Sequence, residues 1–72
     1  MEYTIVIEQT PRNFSAFAPD LPGCVATGAT REEAVREMGA AIAFHIESLR
    51  EHREPIPAAR CTAAVVDVAA AG

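Results

Sequence analysis

The chain predicts an α+β fold with element order β-β-β-α-β, a mostly antiparallel four-stranded sheet with one long helix on one face. Three features of the sequence carry that expectation. Short β-branched or aromatic runs separated by Pro, Gly and Asn turns fill the chain before Thr30. A capped stretch with helical apolar spacing follows. A Val-rich run then lies beyond two prolines.

The first run, Tyr3-Thr4-Ile5-Val6-Ile7-Glu8, is a strand by composition. Alternation puts Tyr3, Ile5 and Ile7 on one face and Thr4, Val6 and Glu8 on the other. Gln9-Thr10-Pro11-Arg12-Asn13 supplies a turn, because Pro cannot donate to a ladder and Asn tolerates turn geometry. Residues 14–18 read as the hairpin partner. Pro19-Asp20-Leu21-Pro22-Gly23 leaves no room for strand or helix; Pro fixes φ, Asp20 caps the turn and Gly23 permits positive φ. Cys24-Val25-Ala26-Thr27 is a short third strand ending at Gly28.

Thr30-Arg31-Glu32-Glu33 has the form of a capping box, with Thr30 accepting from Glu33 and the Glu33 side chain reaching back. Ala34, Val35, Met38, Ala41, Ile42, His45, Ile46 and Leu49 then form one apolar helical stripe. Glu33, Glu37, Glu47 and Glu51 take the opposite side. Pro55 and Pro57 stop the helix and make an extended connector. Residues 62–68, with Val65, Val66 and Val68, read as the fourth strand. A right-handed crossover lays it parallel to the first, giving sheet order 3-2-1-4. Residues 1–68 form a single domain and residues 69–72 a frayed tail.

Size and composition bound the function. At 72 residues the core is thin, and fifteen of the hydrophobic residues are Ala. One helix covers one sheet face, and the first strand carries apolar residues on both. A homo-oligomer, dimer or tetramer, is therefore expected to cover the other face, Val6 included. The net charge of −4 and the scattered arginines argue against a grip on nucleic-acid backbone. An acidic surface suits a basic protein partner. The sequence contains neither a signal-peptide pattern nor an apolar run of membrane-spanning length, so a cytoplasmic protein is expected.

The run from Phe14-Ser15-Ala16-Phe17-Ala18 through Pro19-Asp20-Leu21-Pro22-Gly23-Cys24, then Gly28 and Thr30-x-x-Glu33-Ala34, resembles the HicB family of antitoxins. His45-Ile46-Glu47-x-Leu49 and Glu54-Pro55-Ile56-Pro57 are similar to that family too, so the resemblance runs from Tyr3 to about Val68. It implies a partial RNase H-like fold and a binding protein that neutralises HicA, a small basic mRNA-cleaving toxin. Many members carry a C-terminal domain that binds promoter DNA. Nothing follows Gly72 in this sequence, which reads as a short stand-alone member with no direct DNA binding. The alternative is an orphan oligomeric module with the antitoxin fold and no toxin.

Catalysis is not expected. RNase H-type chemistry needs an acidic residue midway along the first strand, where Ile5, Val6 and Ile7 stand. Cys24, Cys61, His45 and His52 lack the short paired spacings of a metal site, so no metal or cofactor is expected. In the order 3-2-1-4 the two cysteines sit on opposite edges, roughly 14 Å apart. A disulfide needs Cα atoms within about 7 Å, so none is expected.

The candidate partner or oligomer contacts are Phe44, Gly39, Asp20, Leu21 and Val6. Phe44 falls roughly 140° from the centre of the apolar stripe, among Ala40 and the helix glutamates. An exposed aromatic there has the form of a binding anchor. Gly39 lies on the flank of the stripe, where a second backbone could approach. Asp20 and Leu21 occupy the turn between strands two and three.

Overall fold

The computed structural model describes residues 1–69. Three strands, β1 (Val6–Gln9), β2 (Phe14–Phe17) and β3 (Val25–Gly28), precede one helix, α1 (Arg31–Glu51). They form an antiparallel meander in order β1-β2-β3. Register sorts the side chains into two faces. Ile7, Ala16 and Ala26 pair across the sheet on the helix side, and Val6, Phe17 and Val25 pair on the open side.

The core lies between the sheet and α1. Ala16, Ala18, Leu21, Cys24, Met38 and Ile46 are buried there, with Tyr3, Ile5, Ile7, Ile42, Leu49 and Ile56 packed around them. Leu21 and Met38 have no exposed surface. Each contributes about 1.5–3 kcal/mol by leaving water. Val35 departs from the expected stripe: it is exposed on the helix flank. Helix α1 packs chiefly on β3, less on β2 and least on β1.

Local chemistry explains both helix ends. The Thr30 hydroxyl accepts from the Glu33 N–H at 3.1 Å. The return bond of the expected capping box is not among the hydrogen bonds of the described residues. At the other end Glu54 N–H reaches Leu49 O and Arg53 N–H reaches Arg50 O, a complete Schellman motif. Arg53 holds its left-handed position at φ 54°, where Gly is usual. Gly23, at φ 82°, has the positive φ expected of it. Gly28 serves closeness instead, since a Cβ there would stand 2.5 Å from the Ala34 backbone nitrogen.

The expected fourth strand is the main difference. Residues 62–68 form no strand in this structure and are exposed throughout, so the sheet has three strands and not the order 3-2-1-4. Composition favours a strand there, but a strand forms only when a neighbouring edge pairs its backbone. The expected frayed tail, 69–72, lies outside the described residues except for Ala69.

Candidate partner-binding surfaces

What residues 57–65 do instead is run past β1 as a strap. Tyr3 Oη donates to Pro57 O at 2.5 Å, and Thr4 Oγ1 donates to Cys61 O at 2.6 Å. Farther along, Ala63 and Val65 border a groove of about 410 Å³ whose other wall includes Ile5, Val6 and Ile7. Strap and β1 therefore advance in the same direction, the parallel sense expected from sequence, with a gap between them.

Asp20 holds the strap in place. Its Oδ2 accepts the Arg60 and Cys61 N–H groups, each at 2.9 Å. Its Oδ1 accepts the Cys61 thiol at 3.2 Å. The Cys61 N–H is the main reason the Asp20 carboxyl lies below its ordinary range. Bonding to Asp20 likewise pushes the Cys61 thiol up. Cys24 is pushed up by burial alone, and both cysteines are free.

The expected contact residues separate into three kinds. Val6 and Phe44 are exposed, Phe44 at 78%. Helical geometry sets Phe44 amid Glu37, Ala40, Glu47 and Glu51, all exposed. Gly39 is exposed on the helix flank, and a Cβ there would meet nothing within 4 Å. Asp20 is half-buried and its carboxylate is committed to the strap.

Leu21 is corrected. It is 0% exposed and offers no side-chain surface to a partner. The 19–23 turn folds inward because Leu21 N–H bonds Ala18 O, Cys24 N–H bonds Leu21 O, and Ala18 N–H bonds Cys24 O. Two surface features escaped the sequence reading. Phe17 and Val25 extend Val6 into an apolar row across the open sheet face, at 44%, 65% and 38% exposure respectively. Alternation along all three strands, read together, carries that signal.

Among the described residues no three His, Cys, Asp or Glu side chains gather as metal ligands. Among them, too, no helix is long and apolar enough to cross a membrane.

Known proteins with these features point one way. The family model described as "HicB_like antitoxin of bacterial toxin-antitoxin system" matches residues 3–70. A UPF0150 protein of Thermoplasma acidophilum is 40% identical over 58 residues, covering 79% of this chain and 84% of its own. An uncharacterized 14.9 kDa protein of Haemophilus phage HP1 is 40% identical over 57 residues, 79% of this chain but only 43% of the phage protein. Among solved structures, a chain of the "HicA3 and HicB3 toxin-antitoxin complex" superposes with a TM-score of 0.67 at 34% identity. That match covers 76% of this chain and 64% of the other. Sequence and fold agree: the chain belongs to the HicB-like antitoxin family.

Proposed function

We propose that this protein is a cytoplasmic antitoxin that binds a small, basic, mRNA-cleaving toxin of the HicA type and covers its RNA-binding face. It acts by binding and carries out no catalysis itself. The observation that carries this reading is the acidic outer face of α1, with Phe44 exposed at its middle. A glutamate-rimmed aromatic is suited to a basic surface, because the charges steer encounter and the ring anchors the complex. The kinship with a HicA3–HicB3 complex supports a toxin as the partner.

The same reading makes the protein a homo-oligomer through the open sheet face, where Val6, Phe17 and Val25 form an apolar row with little charge. Pairing of residues 62–68 with the free edge of β1 would add a fourth strand to the three described and complete the partial RNase H-like sheet that the resemblance implies.

The test is reconstitution with a HicA-type toxin. The expected result is a stoichiometric complex in which RNA cleavage stops, and in which Phe44→Ala and the pair Glu37→Lys, Glu47→Lys each weaken binding by at least about tenfold, or 1.4 kcal/mol. An assembly of this chain alone, with cleavage unaffected, would make the protein an oligomeric module without a toxin.

A further inference from the structure

We propose that residues 62–68 close onto the free edge of β1 of their own chain and are fastened there by an ion pair between Asp67 and Arg31. This rests on the fourth strand proposed above and names the charges that hold it and the register they select.

The strap reaches that edge already aimed. Tyr3, Thr4 and Asp20 fix residues 57–61 beside the start of the first-strand region, and the chain then advances in the direction of β1. The groove between them has Ala63 and Val65 on one wall and Ile5, Ile7 and Arg31 on the other. Ile5 and Ile7 are only half-buried, and Val65 is fully exposed. Closing the gap takes apolar surface on both walls out of water.

The pleat decides which side chains meet. Ile7 pairs with Ala16 on the helix side of the sheet, and Ile5 and Gln9 share that side by alternation. In an extended strap Ala63, Val65 and Asp67 likewise share one side. Setting Ala63 beside Ile5 and Val65 beside Ile7, the residues that already face each other across the groove, carries Asp67 to Gln9. Arg31 stands at that end: Gln9 pairs with Phe14, and Phe14 with Gly28, three positions before Arg31.

Charge distinguishes this register from its neighbours. Asp67 is the one charged residue of the segment. A slip of one residue would turn it to the open face, and a slip of two would set it beside Ile7 or beside Pro11, beyond the end of β1. Glu8, the acidic residue of β1, lies on the open side by alternation and does not compete. Arg31 is also the first residue of α1, where the helix dipole disfavours a cation and a carboxylate brought close offsets that cost. In the closed strand Ala64 and Val66 fall on the open side, so the clasp also widens the apolar row of Val6, Phe17 and Val25.

Amide exchange of the full chain, corrected for intrinsic rates, tests the clasp by charge reversal. Arg31→Gln and Asp67→Asn should each speed exchange of the 62–68 amides about two- to fivefold, the range of an exposed ion pair. The double variant Arg31→Glu, Asp67→Arg should restore the slower rate. Unfolding midpoints of the same variants separate any effect of residue 31 on the helix from an effect on the strap. Protected 62–68 amides that ignore both single variants, or that the reversal does not restore, would overturn the clasp and leave the fourth strand standing. Unprotected amides in the unaltered chain would overturn strand and clasp together. Protection that rises with protein concentration would give the segment to a second copy and overturn closure within the chain.

Discussion

The first-strand region and the 62–68 segment have nearly the same chemistry and opposite fates. Ile5-Val6-Ile7 and Val65-Val66 are both β-branched runs followed by an acidic residue, Glu8 and Asp67. One pairs with β2 and has one face partly covered by the core; the other lies exposed and unpaired. Both contain strand-forming residues, so the neighbour weighs heavily in the outcome. A hairpin turn of four residues delivers β2 to β1, whereas only side-chain anchors hold the strap near its potential edge.

If that contrast is right, changes in the packed body should alter global stability while changes in the strap should not. Met38→Ala empties the centre of the helix–sheet core and should cost about 2–5 kcal/mol in denaturant unfolding. Gly28→Ala drives a methyl into the Ala34 backbone, which no side-chain rotation relieves, and should cost about 1–3 kcal/mol. Arg53→Gly should stabilise the body by up to about 1 kcal/mol, since the left-handed position then carries no Cβ.

The strap should respond to pH without moving the body's unfolding midpoint appreciably. Asp20 is held below its ordinary value of 3.8, so its ionised form holds the strap above that pH and releases it as pH falls through the lower, folded value. Cys61 is held above 9.0, so its thiol donates below that pH and the bond is lost as pH rises through the higher, folded value. Amide exchange at Arg60 and Cys61, corrected for intrinsic rates, should therefore accelerate at both extremes, and Asp20→Asn should accelerate it throughout. Global unfolding that tracked Asp20 would erase the distinction between body and strap.

Smallest of all should be the stability change in Phe44→Ala. An exposed ring away from the core should alter unfolding by no more than about 0.5 kcal/mol, so any loss of toxin binding would belong to the surface itself.

Local patterns made the body legible. Alternation identified the β1 faces, Thr30 marked the helix start, and Gly23 marked the positive φ of the inward turn. Phe44 was readable because helical periodicity fixes its side of α1. What lay hidden depends on distant partners. Nothing near Asp20 announces that it will bind residues 40 and 41 positions away. Leu21, between turn formers, has no periodicity to say that it points inward. Arg53 occupies a position where Gly would have been the signal. The Val-rich run was recognised by composition, but composition contains no information on whether an edge is within reach.

The anchors of the strap also set an order of assembly. Tyr3 and Pro57 are 54 positions apart, and Asp20 and Arg60 are 40 apart, whereas the hairpins and α1 close over short separations. Loop closure over such distances gains little until the body exists to receive it. The strap should therefore close last in folding and open first under stress. A fluorescent label beyond Cys61 would report that opening while the helix was still intact.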